Sequence, residues 1–372
     1  MRDSKSHGIR RRLFGPGFAK TDIRRNWEGA VKEKIVLAVE KMRGEIQQTG
    51  KADVLKWWTL MASDVSSTLL FGDSFHTLEE GKSNEYIRTL TKALTANGIA
   101  AEFPLLRTIG KKLPFQATNE LFNTNEILSS YAKTAVRNLK STHGNSSRNI
   151  FSNIQAAAEK GEMLQDEDVE AETMALFVAG TDTTAISLTY LVWAVLSRPQ
   201  LRRRVEGEVA ALPEEYADAD VEKLPLINAV IEETLRLYGA APGALPRVVP
   251  AGGRDMGGYF IPQGTCATTH AYSAHRDPDL FPQPEEFRPS RWLVDSDDYL
   301  TDAARAVYAP FGGGARACLG QHIAYSELRI GAAEFFRKMP GAKLGASVTD
   351  ESMWMENFFL IAPKAHQCEV TV

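Results

Sequence analysis

Apolar residues recur at helical spacing over residues 21–48, where Ile23, Trp27, Val31, Ile35, Val36, Val39 and Met42 stand among charges. That periodicity predicts an amphipathic helix. Residues 53–71 repeat it with Val54, Trp57, Trp58, Leu60, Met61, Val65 and Leu69–Phe71, and Gly72 is the expected stop. Two more helices are expected near 84–96 and 117–140. The apolar link Gly98–Pro114 between them, broken by Pro104, Gly110 and Pro114, reads as a lid, a membrane-touching tip or an ordinary buried connection. Met174–Leu196 is almost continuously apolar, follows the acidic stretch Asp166–Glu172, and is long enough to cross a bilayer. Its centre, however, reads Gly180-Thr181-Asp182-Thr183-Thr184, and a charge at that depth is expensive in lipid. A helix buried through the middle of a globular domain is expected.

Short helices follow at 199–211 and 224–238. After Gly239 the character changes. Ala244–Val249, Gly258–Ile261 and Cys266–Tyr272 are β-like and punctuated by Pro246, Pro250, Gly252-Gly253 and Pro262. Residues 273–310 read as an irregular connection, residues from about 319 to 338 as a helix, and the tail Met353–Val372 as strands. The chain is therefore expected to be mainly α with small β-sheets, an α+β fold in one domain spanning 1–372.

Composition narrows the function classes only a little. Of 372 residues, 44% are hydrophobic and 24% charged, ordinary globular values. A net charge of −4 argues against nucleic acid as a partner, and Arg10-Arg11-Arg12 is too short a run to reverse that. Three widely spaced cysteines, Cys266, Cys318 and Cys368, argue against a disulfide framework. Met1–His7 has no apolar run, so neither a signal peptide nor an anchor is expected in this chain.

The chemistry concentrates in Phe311-Gly312-Gly313-Gly314-Ala315-Arg316-Ala317-Cys318-Leu319-Gly320. Glycines allow backbone N–H groups to approach a neighbouring atom closely. Several such donors, with a helix N-terminus behind them, favour thiolate over thiol, so Cys318 is a candidate metal ligand or nucleophile. An isolated cysteine would more often be buried and structural. Gly312-x-Gly314-x-x-Ala317 also satisfies a dinucleotide fingerprint, but that requires a strand before it, and Ala303–Pro310 is a weak strand at best.

Read together, the motifs resemble the cytochrome P450 family. The cysteine loop fits Phe-x-x-Gly-x-Arg-x-Cys-x-Gly at Phe311, Gly314, Arg316, Cys318 and Gly320. Ala179–Thr184 is similar to the family's oxygen-activation motif, Glu233-x-x-Arg236 to its Glu-x-x-Arg pair, and Phe287-Arg288-Pro289-Ser290-Arg291-Trp292 to its Phe-x-Pro-Glu-Arg-Trp segment, with Ser290 where glutamate is common.

The resemblance implies a haem b whose iron is ligated by Cys318. It implies that Arg316 and Arg247 contact haem propionates, and that His7 and Arg11 resemble the family's Trp/His-x-x-x-Arg propionate pair. A solvated basic face is the alternative for that run, with Arg10 and Arg12 flanking it. Asp182 and Thr183 would deliver protons to bound dioxygen, and Thr back-bonding beside Gly180 would let the helix open locally. Glu233, Arg236 and Arg291 would form a buried structural triad.

By the same resemblance the protein would be a fungal microsomal monooxygenase, N-terminally incomplete here. It would take electrons from NADPH through a cytochrome P450 reductase and hydroxylate, epoxidise or desaturate an apolar secondary metabolite, such as a polyketide or terpenoid of the mycotoxin kind. Pocket walls are expected near Phe177, Tyr238–Leu245, Gly98–Leu106 and Met355–Phe359. The full-length form would lie on the cytosolic face of the endoplasmic reticulum membrane. A truncated, catalytically impaired remnant that does not retain haem is the alternative.

Overall fold

In the computed structural model, residues 4–83, 105, 150, 166–358 and 360–372 are described. The helices expected at 84–96 and 117–140, and nearly all of the Gly98–Pro114 link, lie outside these residues.

The longer helices are α1 (Ser4–Phe14), α2 (Lys20–Asn26), α3 (Glu28–Thr49), α4 (Val54–Phe71), α5 (Asp166–Leu196), α6 (Pro199–Ala210), α7 (Pro225–Tyr238) and α8 (Gln321–Lys338). The single amphipathic segment predicted over 21–48 is divided by buried Trp27, whose φ of −126° interrupts the helix between α2 and α3. Gly50 and Gly72, at φ +83° and +76°, end α3 and α4 in the left-handed conformation that glycine adopts without strain. The expected stop at Gly72 is where the helix ends. At the other end of α4, the Asp53 carboxylate accepts the N–H of Leu55 at 3.1 Å and that of Cys368 at 2.9 Å, fastening this helix to the C-terminal strand.

Helix α5 is the axis of the molecule. Ala185, Leu188, Tyr190, Leu191, Val192, Ala194 and Val195 are wholly buried, and the helix packs along α4 and against α7 and α8. Each fully buried large aliphatic contributes about 1.5–3 kcal/mol, so the helix is held by packing rather than propensity. Within it, Ala171–Leu196 is apolar and long enough to span a membrane, yet that stretch is mostly enclosed by protein.

The strands are few and short. β1 (Ala52–Asp53) and β6 (Lys343–Leu344) flank β9 (Glu369–Thr371) in an antiparallel sheet. Two-stranded antiparallel pairs join β2 (Ala244–Val248) to β5 (Cys266–His270), β3 (Arg254–Met256) to β4 (Tyr259–Ile261), and β7 (Met355–Phe358) to β8 (Leu360–Pro363). The architecture is mainly α with small sheets. Within the stretch expected to be irregular, Pro289–Trp292 forms a 3₁₀ turn and Asp302–Val307 a short helix. A helix, not a strand, therefore leads into the glycine loop, and the dinucleotide reading loses its structural requirement.

Candidate functional site

The glycine loop is closed by backbone bonds. Cys318 N–H donates to the Phe311 carbonyl at 2.8 Å and Ala317 N–H to Gly314 at 3.1 Å. Gly312 and Gly314 take φ of +68° and +67°, so a β-carbon at either would be strained. Gly320 precedes α8 as its N-cap, and a β-carbon there would lie 3.9 Å from the Cys318 sulfur. The loop thus delivers the sulfur to the foot of a helix.

Cys318 keeps exposed surface, yet protein crowds most of its surroundings. Burial pushes its thiol above the ordinary value, while a backbone bond involving Gly320 and the charge of Arg11 pull the other way. The glycine loop alone was expected to favour thiolate. In the folded chain desolvation outweighs the donors, and a bound cation is what would displace the proton.

The sulfur faces a cavity of about 140 Å³ between the loop and α5. Apolar walls come from Phe18, Val65, Leu69, Leu176, Phe311 and Ile323, and the polar lining from Ser66, Thr183, Thr184 and Glu327. Gly180 completes the α5 wall, where Ser66 Oγ would stand only 2.7 Å from any β-carbon. Helix α5 runs unbroken through this turn. Thr183 Oγ1 donates to the Ala179 carbonyl at 2.6 Å and Thr181 Oγ1 to Phe177 at 2.9 Å, so the hydroxyls back-bond within a closed helix rather than opening it. Asp182 stands beside Thr183 but does not line the cavity, and burial raises its carboxyl to about 6.

At the rim, α1 sets His7, Gly8, Arg11 and Arg12 against Ala315 and Arg316 around a depression of about 310 Å³. Arg11 Nη1 donates to the Ala317 carbonyl at 2.6 Å, next to the cysteine. Burial, then the charges of Arg316 and Arg11, holds His7 below its ordinary value. Arg10 points elsewhere, bonding Glu172 at 2.5 Å and also Asp168 at the start of α5. The helix thereby separates Arg10 from Arg11 and Arg12, which the sequence leaves equivalent. Arg247 is placed differently. Its strand brings Leu245 against Gly312, but the exposed guanidinium donates to the Pro246 carbonyl and lines neither the cavity nor the rim.

Behind the loop, Glu233 and Arg236 are fully buried and 2.8 Å apart, with Arg291 Nε 3.3 Å from the other Glu233 oxygen. Trp292 Nε1 and the Arg288 backbone N–H also donate to Glu233. Arg236 in turn donates to the carbonyls of His275, Pro284 and Glu286, so one guanidinium gathers three points of the irregular segment. Where Ser290 replaces the usual glutamate, its hydroxyl and Arg288 both bond Asp298, which supplies the carboxylate from farther along the chain.

The central helix near Phe177 lines the cavity as expected, through Leu176 and Ala179, while Phe177 itself is wholly buried against Phe71 and Phe75. Tyr238 stacks on Tyr190 at 4.9 Å and lines, with Met355, a separate pocket of about 460 Å³. The sequence reading missed Thr184 and Glu327, whose side chains meet at 3.0 Å in the cavity wall. The signal was available: Glu327 interrupts the apolar positions Ile323 and Ile330 on one face of α8.

This donor set fits a haem: a single sulfur at the end of an apolar slot, glycines on both sides of the slot, and cations at the rim for propionates. The fit rests on the donor chemistry. Residues 2–342 match the family model for cytochrome P450. Over its whole length the chain is 39% identical to cytochrome P450 monooxygenase stcB of Emericella nidulans, covering 72% of that protein. It is 38% identical to tazI of Aspergillus terreus and to aflV of Aspergillus parasiticus, both named cytochrome P450 monooxygenases, covering 76% and 74% of them. With the cysteine loop, the central helix and the buried Glu-x-x-Arg pair in one molecule, these matches show that the chain belongs to the cytochrome P450 family of haem-thiolate monooxygenases.

Proposed function

We propose that the chain oxidises an apolar secondary metabolite at a haem bound between α5 and the cysteine loop. The observation that carries this is the meeting of Cys318, Gly180 and Thr183 around one apolar cavity. Cys318 would hold the iron, and Arg11, His7 and Arg316 would face the propionates. The bound group supplies the activation of dioxygen, with the thiolate pushing electron density to favour O–O cleavage. The protein's part is to exclude bulk water with Val65, Leu69, Leu176 and Ile323, and to hold a proton at Asp182 for passage through the Thr183 hydroxyl. Electrons would come from NADPH through a cytochrome P450 reductase. A fungal secondary metabolite is the substrate class that the sequence resemblance implies, and the relatives of Aspergillus and Emericella are named cytochrome P450 monooxygenases. For the full-length form we propose the cytosolic face of the endoplasmic reticulum membrane.

The test is oxygen consumption by the haem-loaded chain with reductase and NADPH. Consumption should require both, and Thr183→Ala should raise the share of oxygen recovered as hydrogen peroxide. A chain that takes up no haem would be an impaired remnant.

A further inference from the structure

Phe311 lines two cavities: the slot that holds Cys318, and a groove of about 950 Å³ that the reading above leaves without an occupant. The groove runs between the first turns of α7, the 292–296 stretch and α8. Half-buried aromatic rings wall it. The centroids of Trp292 and Tyr308 are 4.5 Å apart, and those of Phe311 and Tyr325 5.1 Å.

Glu232 brings a carboxyl group to these rings. Its Oε2 accepts the Tyr308 hydroxyl at 2.7 Å and the Tyr325 hydroxyl at 3.2 Å. Among the described residues neither a hydrogen bond to its Oε1 nor an ion pair is found. The cations nearby are committed elsewhere: Arg305 to Asp302, Arg329 to Asp218, and Lys20 and Arg24 to Glu222. Exposed Asp295 adds a second acid to the wall. Burial pushes the Glu232 carboxyl above its ordinary value, and the two phenols and Arg329 offset that only in part. A cation in the groove would supply the charge that the fold withholds. Aromatic faces attract positive charge through their quadrupoles, so rings around a carboxyl group are the chemistry that recognises organic cations. An anion would meet two acids there, and a bare metal ion would find too few oxygen ligands.

We propose that this groove binds a small organic cation of the tertiary- or quaternary-ammonium class, with Glu232 as counter-ion and Trp292, Tyr308 and Tyr325 as the aromatic walls. Occupancy reaches the haem site through Phe311, whose carbonyl accepts the Cys318 N–H at 2.8 Å. The binding site stands apart from the oxygenase reading above, and only its report at the haem rests on that reading.

Choline is the probe, titrated into haem-loaded protein. Its charge is permanent and its nitrogen has no lone pair, so that atom cannot ligate iron. Calorimetry should show saturable binding that the uncharged isostere, with a tert-butyl group in place of trimethylammonium, does not displace. Glu232→Gln keeps an acceptor for the two phenols and should weaken binding about tenfold. Tyr325→Leu should also weaken it, and Tyr325→Phe, which keeps the ring, much less; this pair decides the matter if Glu232→Gln does not fold. Choline should move the Soret band of the wild type and leave that of Glu232→Gln in place. No saturable binding to the wild type, displacement by the isostere, or undiminished binding to Glu232→Gln would overturn the proposal. Binding without a Soret response would overturn the link through Phe311. The reduced CO spectrum of the same samples shows separately whether the haem-thiolate reading itself has failed.

Discussion

Replacing Arg236 with alanine tests the frame behind the cysteine loop. The guanidinium is fully buried, forms two bonds to Glu233 at 2.8 and 2.9 Å, and donates to the carbonyls of His275, Pro284 and Glu286. Among the described residues, removing it leaves Glu233 with Arg291 as its one remaining cation and three carbonyls short of a donor. Breaking a buried pair in this way costs about 3–5 kcal/mol, a large share of the roughly 5–15 kcal/mol by which a folded domain is stable. The damage should reach the haem site. Buried His275, held down to about 4 and therefore neutral, accepts the Ala309 N–H at 3.0 Å just before Phe311. Urea titration followed by far-UV dichroism would read the loss of stability, and haem retention would read the displaced loop. Arg236→Lys keeps the charge but not the planar fork, so it should fall between alanine and wild type. If Arg236→Ala lost less than about 1 kcal/mol, as an exposed pair would, the triad would not be the frame.

Other outcomes follow from single contacts. Arg11→Ala should weaken haem retention in a titration of the haem-free protein. Arg10→Ala, which removes only the α1–α5 ion pairs, should leave retention close to wild type; equal losses would contradict the division of labour. Gly180→Ala should destabilise the fold by about 1–3 kcal/mol through overlap with Ser66 Oγ, and Ser66→Ala should reverse most of that; no rescue would mean the close approach is not the cause. Between the ordinary carboxyl range and about 8, unfolding releases the Glu327 proton that the folded chain retains, so stability should fall as pH rises. Glu327→Gln should show a flatter dependence in unfolding measurements near pH 5, 7 and 9, and parallel curves would contradict the buried neutral acid.

Local features were the legible ones. Gly72 as a helix stop, α5 as a buried span and the cysteine loop with its following helix depend on neighbouring residues, and the sequence carries them directly. What it did not carry depends on distant partners. Arg10 and Arg11 separate only because Asp168, Glu172 and Ala317 lie where they do. The wall near Phe177 was legible, but not that Leu176 and Ala179 rather than Phe177 form it, because α5 is apolar around much of its circumference and periodicity then does not say which side faces the cavity. The role of Asp298 opposite Ser290 and Arg288 needed the fold of the irregular segment. The raised thiol of Cys318 needed the burial around it, which a glycine count does not contain.

The central claim is that Cys318 holds a haem iron as thiolate. The most direct measurement is the reduced CO spectrum of the haem-loaded chain beside Cys318→Ser. The account predicts a red-shifted, thiolate-type Soret band in the wild type that is lost in the variant. A wild-type chain that binds haem without that band, or a variant that keeps it, would contradict the account.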